Sequence, residues 1–214
     1  MIGAARALVG GALAAACGGA PAAARPPACG PGEVARVADA ADVAALAGCA
    51  RLAGLVVRTG ASVSLAGLAA LTEVTGDVRV GPTVSVDVLE LPGLTRVGGL
   101  VRVAGNGAMT GAYFPRLRSA ARIEIEHNAA LASVSLPSLA AVGELTVRDN
   151  PELQSLSLSA LEAVDALTLD GVPSLELLQA ERLRRATRWA VTAPALDVAE
   201  LEALRERVGA RPSR

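Results

Sequence analysis

The chain has 214 residues, 52% of them hydrophobic, with three aromatic residues, 20 arginines, no lysine and a formal net charge of -1 at pH 7. So apolar a chain is not intrinsically disordered, and its charge lacks the basic surplus that is typical of a nucleic-acid-binding protein. One histidine and three cysteines are few for a metal cage or a histidine-dependent catalytic site, so we expect a scaffold without metal, cofactor or nucleic-acid partner.

Residues 1–16 have the layout of a bacterial export signal. A single positive charge at Arg6 precedes about ten apolar or small residues, which is too short a run to span a bilayer. The small residues before Cys17 resemble a lipoprotein signal box, in which the cysteine is lipidated and becomes the mature N-terminus, although Ala14 stands where leucine is usual. We predict a lipid anchor at Cys17; simple secretion and an uncleaved membrane anchor are the alternatives.

Residues 17–28 are rich in glycine, alanine and proline and are typical of a flexible tether. A tether behind a lipid anchor predicts an exported cell-envelope protein, held at the outer membrane. In that oxidising setting Cys29 and Cys49 form an even pair. We predict a disulfide between them that contributes about 3 kcal/mol; two free buried thiols are the alternative.

One unit is repeated along the middle of the chain. An alternating apolar pair follows each repeated leucine, and this period of two indicates a short strand with one buried face. A fixed period of this kind predicts a mainly β fold, a single-stranded right-handed β-helix or solenoid with leucine-rich-repeat-like coils of 22–23 residues. The repeated leucines are Leu71, Leu94, Leu117, Leu139, Leu161 and Leu183.

One asparagine position recurs beyond the predicted strands, at Asn106, Asn128 and Asn150. Asparagine at a tight corner satisfies backbone polar groups, so stacked coils predict an asparagine ladder. Because an isolated coil cannot bury its core, we expect short capping helices at both ends of a solenoid spanning 29–209. Residues 210–214 are expected to form a frayed tail.

The segment from Cys29 to Leu71 resembles the opening of the receptor L domain of the insulin and epidermal growth factor receptors. The shared features are a cysteine, a short helix with a leucine pattern, a second cysteine and an apolar-x-Gly strand start. The stretches LTEVTGDVRV and LPGLTRVGGLVRVAGN resemble the family's repeated coil, so the resemblance reaches about Val191. It implies an extracellular β-helix that presents a sheet face to protein ligands. The sequence shows no cysteine-rich module, kinase domain or second L domain of the animal receptors, so receptor signalling has no support. Its lysine-free, alanine- and arginine-rich composition and its export signal indicate a bacterial cell-envelope relative.

The outward strand positions form a candidate binding face, where arginines precede acids along the stack. Adjacent coils are expected to form ladders of opposite charge, which are either plain surface ion pairs or a surface that recognises a charged partner. We predict a non-catalytic lipoprotein that binds an unidentified protein or glycan or is structural. The alternative is a polysaccharide-acting enzyme on a parallel β-helix, with Glu124 and Glu126 as a conceivable carboxylate pair. The face comprises Arg79, Arg102, Glu124, Glu126, Thr146 and Arg148, together with the aromatic Tyr113.

Overall fold

The computed structural model describes Cys29 and residues 32–209, which form a β-solenoid. This architecture confirms the fold class predicted from the repeat. The predicted export signal, Cys17, the predicted tether and the predicted tail at 210–214 lie outside the described residues. Across the described residues, every helix is too short or too polar to cross a membrane.

A long sheet contains one principal strand from each successive coil. Neighbouring strands pair in parallel throughout, as expected when each strand is followed by one turn of the solenoid. In spatial order, which is also chain order, these strands are β1 (Val34–Val37), β3 (Gly54–Val57), β5 (Val78–Val80), β8 (Leu100–Ala104), β10 (Ser119–Glu126), β12 (Ala141–Arg148), β14 (Ala163–Asp170) and β16 (Arg185–Val191).

Two further sets of short strands complete the coils. Strands β2 (Arg51–Leu52), β4 (Glu73–Val74) and β7 (Arg96–Val97) pair in parallel, and β7 joins the long sheet through β10. A separate short sheet is also parallel, and it is built from β6 (Val88–Glu90), β9 (Gly111–Tyr113), β11 (Ser133–Ser135), β13 (Ser155–Ser157) and β15 (Leu177–Gln179).

The register of the long sheet reproduces the sequence period. Ile123 lies opposite Val101 on one side and Leu145 on the other, and Leu55 lies opposite Val78. The first step along the sheet, from β1 to β3, is 20 residues of chain, and each later step is 22 or 23 residues. Residues at one position of the repeat therefore stack directly on one another.

The core is the inside of the coils. All six repeated leucines are at most 1% exposed, and Phe114 takes a buried position among them. Burying one such side chain contributes about 1.5–3 kcal/mol, and a shared register lets each column pack against identical or β-branched neighbours. Columns of leucine and valine therefore leave little need for aromatic residues in the interior.

The N-terminal end carries the predicted helix and disulfide. Helix α1 (Ala40–Ala45) begins after Asp39, whose Oδ1 accepts the backbone N–H groups of Ala41 and Asp42 at 2.9 and 3.0 Å. Cys29 and Cys49 are joined by a disulfide with their Cα atoms 5.4 Å apart. Val43 of the helix is buried in the core, so the helix packs into the first coil, where the disulfide also lies.

The C-terminal end is covered by helix α2 (Val198–Arg207), which begins after Asp197. Leu204 and Val208 belong to the buried core. The Arg207 guanidinium donates to the carbonyl oxygens of Ala180 and Leu183 at 2.9 and 3.2 Å. Carbonyl groups at the open end of the last coil thereby gain donors, which supports the predicted capping role.

Candidate functional site

The asparagine side chains stack inside one corner of the solenoid. Asn106 Nδ2 donates to Asn128 Oδ1 at 2.9 Å, and Asn128 Nδ2 donates to Asn150 Oδ1 at 3.0 Å. Each side chain is completely buried. Thr83, which the sequence analysis missed, extends the stack because its hydroxyl donates to Asn106 Oδ1 at 2.8 Å. The signal for it is its position 23 residues before Asn106.

These asparagines also satisfy the backbone at the corner. The Nδ2 groups of Asn106, Asn128 and Asn150 donate to the carbonyl oxygens of Val80, Val103 and Ile125 at 3.3, 3.1 and 2.9 Å. Buried carbonyl groups without a donor are costly. The ladder is therefore structural, and it fixes the corner beside the outer face of the long sheet.

The residue before each asparagine has left-handed backbone. Gly105 has a φ of 71°, and the corresponding His127 and Asp149 have φ values of 56° and 52°. Glycine adopts this region freely, whereas other residues pay a steric cost. The imidazole Nε2 of His127 and the Asp149 carboxylate lie 3.2 Å apart on adjacent coils, and both side chains are mostly exposed.

Arg102 is the centre of the charged outer face of the long sheet. Its guanidinium contacts the carboxylates of Glu124 and Glu126 on the next strand, at 2.7 and 3.3 Å. The two glutamate side chains are only 16% and 15% exposed. These contacts are the ladder of opposite charge that the sequence predicts, and they hold both carboxylates against the sheet.

A second arginine continues the ladder. Arg122 contacts Glu144 on the following strand at 2.9 Å and Glu124 on its own strand at 3.7 Å. Neither Arg122 nor Glu144 is among the candidate residues predicted from the sequence. Their spacing of 22 residues, which also relates Arg102 to Glu124, is the signal that identifies them.

Beside this ladder, the outer face has a depression of about 380 Å³. Its charged lining consists of the side chains of Arg58, Arg79, Arg102 and His127, and we call it the arginine cavity. Arg79 and Arg102 are directly opposed in the sheet. Arg58, which the sequence analysis did not single out as a site residue, has no side-chain hydrogen bond or ion pair within Cys29 and 32–209.

Two residues with little or no side chain make this depression. The outward column that begins at Arg58 continues with Gly81 and Ala104, and both of these line the cavity. Gly81 has a φ of 114°, and an added Cβ would overlap the carbonyl oxygen of Ala104. Close stacking of the backbone thus requires glycine at this position, and the requirement leaves a gap among long arginine side chains.

Asp77 lies at the edge of this region, on the loop before β5. The backbone N–H of Leu100 and the guanidinium of Arg79 both donate to its carboxylate at 2.9 Å. These hydrogen bonds lower the pKa of Asp77 below its ordinary value, and the one from Leu100 has the larger effect. Asp77 therefore keeps its charge and holds the Arg79 guanidinium in an ion pair.

The remaining members of the candidate face are distributed differently. Arg148 is exposed on β12, beside Glu126 in register, whereas Thr146 is only 8% exposed and presents little surface. Tyr113 lies on β9 of the short sheet, where its ring covers Gly111. The structure therefore brings six of the seven residues onto one face and places Tyr113 on another.

Within the described part of the chain, no three His, Cys, Asp or Glu side chains cluster in a way that could hold a metal ion. In comparisons with known proteins, no family model, no curated protein and no solved structure matches the chain.

Proposed function

We propose that this protein is a non-catalytic binding protein of the cell envelope, which recognises a glycan or protein through the outer face of the long sheet. One observation carries the proposal: Arg102 contacts Glu124 and Glu126, and Arg122 contacts Glu144, so charged groups on three consecutive strands are linked in a fixed array. Side chains that are ordered before binding lose little entropy when a ligand arrives.

The sheet face offers side chains and no free backbone groups. Its strands pair on both sides between β3 and β14, so an added peptide strand has no edge to join there. Recognition must then depend on the array of charges and on the arginine cavity. This arrangement suits a partner with charged or hydroxyl groups at regular intervals.

The envelope location rests on the sequence. The export signal, the lipidation motif at Cys17 and the tether favour a lipoprotein, and the Cys29–Cys49 disulfide is typical of an oxidising compartment. A receptor L-domain relationship is consistent with a solenoid that begins with a cysteine-bracketed helix. Metabolic labelling with a fatty acid tests the anchor: we expect label on the wild type and none on Cys17→Ala, and an unlabelled wild type would end the lipoprotein proposal.

Binding is tested with the full chain purified in mild detergent and immobilised over envelope polysaccharides and envelope proteins. Arg102→Ala breaks the centre of the charge array and is expected to reduce retention of the bound component at least about tenfold, the effect of losing charge-assisted hydrogen bonds. Arg184→Ala removes an exposed arginine from the last coil and serves as the matched control. Equal retention by both variants would contradict the proposed face.

The competing function is a polysaccharide-acting enzyme that uses Glu124 and Glu126. Their shared contact with Arg102 and their low exposure favour the non-catalytic function, because an ion-paired, mostly buried carboxylate is less available to a glycosidic bond. A screen for glycan degradation decides between the two functions. Turnover by the wild type that is abolished in Glu124→Gln would overturn the non-catalytic proposal, and absence of turnover across the screen supports it.

A further inference from the structure

The arginine cavity holds more hydrogen-bond donors than the protein uses. A guanidinium carries five N–H groups, and Arg58 makes no side-chain hydrogen bond or ion pair within Cys29 and 32–209. Among the described residues, Arg79 has one carboxylate partner, Asp77 at 2.9 Å. The planar forks of these two side chains match the geometry of a carboxylate, sulfate or phosphate.

Like charges are stacked at this point of the sheet. Arg79 lies directly opposite Arg102, on strands that are about 4.8 Å apart, and directly opposed like charges are destabilising. Their carboxylate partners lie elsewhere: Asp77 holds Arg79, and the glutamates of β10 hold Arg102. Among the described residues, no carboxylate bridges the two arginines, so an external anion would relieve their repulsion.

The positive charge extends towards the N-terminal end of the same face. Arg36 on β1 is exposed and occupies the same outward column, through Val56, as Arg79. It makes no ion pair with any described residue. The first four coils therefore present arginines whose charge is only partly neutralised, whereas the acidic residues of the face begin at Glu124.

On these observations, and resting on the proposed binding function, we infer that the arginine cavity binds an oxyanion of an acidic glycan, either a uronate carboxylate or a sulfate ester. Arg58 and Arg79 donate to the oxyanion, and Arg102 forms the opposite wall. The floor at Gly81 and Ala104 admits one group between the guanidinium planes.

A glycan fits this site better than an acidic peptide. The cavity is a shallow opening on the face of the sheet, where the backbone is already paired, so an extended peptide gains no main-chain hydrogen bonds. Successive coils repeat at about 4.8 Å, close to the length of one sugar residue in an extended chain. A polymer with one acidic group on each sugar would meet one arginine on each of the first four coils, at Arg36, Arg58, Arg79 and Arg102.

Calorimetric titration of the full chain in mild detergent tests this site. The probes are an oligogalacturonate, a sulfated oligosaccharide, a neutral glucan oligosaccharide of equal length, sodium sulfate and a glutamate peptide. We expect one of the acidic oligosaccharides to bind and the neutral one to fail, and the better acidic probe identifies carboxylate or sulfate as the group. Raising the salt from about 0.05 to 0.5 M should weaken binding, because exposed charges are screened.

Two variants separate the cavity from the general charge of the protein. Arg58→Ser removes the unpaired guanidinium, and Ala104→Leu fills the floor without changing charge; each is expected to weaken binding about tenfold or more. Arg184→Ser removes the same charge from the last coil and should bind like the wild type. Circular dichroism on each variant verifies that the solenoid is intact.

Several results would overturn the inference: equal binding of the neutral oligosaccharide, tighter binding of the glutamate peptide, binding of sodium sulfate alone, or wild-type affinity in both cavity variants. If the wild type still retains envelope material and Arg102→Ala reduces this retention, the proposed binding function stands and only the assignment of an acidic glycan to the arginine cavity is wrong. If no envelope component is retained by the wild type, the proposed function itself fails.

Discussion

Oδ1 of Asn150 accepts two hydrogen bonds from Asn128, one from the backbone N–H at 3.1 Å and one from Nδ2 at 3.0 Å. Asn128 repeats the relationship with Asn106, at 3.2 and 2.9 Å. A single amide oxygen thus satisfies both the backbone and the side chain of the coil before it. All of these groups are buried, so the corner depends on an unbroken series.

Substitution of Asn128, the middle residue of the asparagine ladder, should therefore lower the free energy of unfolding the most. Asn128→Ala leaves two N–H groups of Asn106 and the carbonyl oxygen of Val103 without their partner, and we expect the free energy of unfolding to fall by about 3–5 kcal/mol. Thr83→Val removes one hydrogen bond at the end of the series and should cost about 1–2 kcal/mol. Urea denaturation measures both. Equal losses in the two variants would show that the ladder does not act as a connected series.

The left-handed backbone of His127 leads to a second prediction, which concerns stability. His127 has a φ of 56°, so His127→Val should reduce the free energy of unfolding by about 1–2 kcal/mol, since a β-branched side chain is disfavoured there. His127→Gly should preserve or raise stability, because glycine stands at the equivalent Gly105. Thermal denaturation compares the two variants. A valine variant as stable as the wild type would mean that the corner relaxes to another conformation.

Asp77 makes stability depend on pH in a defined direction. Its pKa is lowered from 3.8 by the backbone N–H of Leu100 first and by Arg79 second, against partial burial. A lowered pKa in the folded state contributes stability that is present above about pH 3.8 and is lost as the pH falls through the folded value. We therefore expect a stability difference between wild type and Asp77→Asn that is present at neutral pH and shrinks in acid.

The asparagine in Asp77→Asn can still accept the N–H of Leu100, so it removes the charge while keeping that hydrogen bond. Urea denaturation at several pH values below and above 3.8 gives the measurement. Asp165→Asn, on an exposed carboxylate of β14, is the control. A wild-type minus Asp77→Asn difference that stays constant across this range would contradict the assigned cause.

The disulfide stabilises the N-terminal end through the loop that it closes. Cys29 and Cys49 are separated by 20 positions, and a loop of this length is expected to contribute about 3 kcal/mol, chiefly by restricting the unfolded chain. Cys29→Ser with Cys49→Ala should lower the free energy of unfolding by that amount in denaturation experiments. If reducing the disulfide of the wild type lowers the free energy of unfolding by the same amount, the effect comes from the disulfide bond. No loss in either case would show that the bond adds nothing to folding.

Much of the fold can be predicted from the sequence, because in a solenoid residues one repeat apart occupy the same position in neighbouring coils. Leu94 and Leu117 recur with the coil, and in the structure they are completely buried. The same arithmetic places Arg102 opposite Glu124, where their side chains contact at 2.7 Å. Contacts made at a constant sequence separation can be predicted without knowing the rest of the molecule.

The repeat does not predict the position of Tyr113 or the presence of the arginine cavity. Tyr113 was grouped with the arginines by its chemistry, but its coil position puts it on the short sheet. The cavity exists because Gly81 has left-handed backbone and because Arg79 turns towards Asp77. Neither property is periodic, so neither was visible in the repeat.

The sequence by itself determined the coil length, the buried columns, the disulfide pair and the alternation of the sheet, since each of these follows from a local period or a residue type. The tertiary structure alone decided which arginines are neutralised, which face each aromatic residue occupies and where a depression opens. Those features depend on side-chain directions and backbone corners, which are set jointly by the coils above and below. The repeat therefore predicts the stack of coils, whereas the candidate site depends on how neighbouring coils orient their side chains and corners.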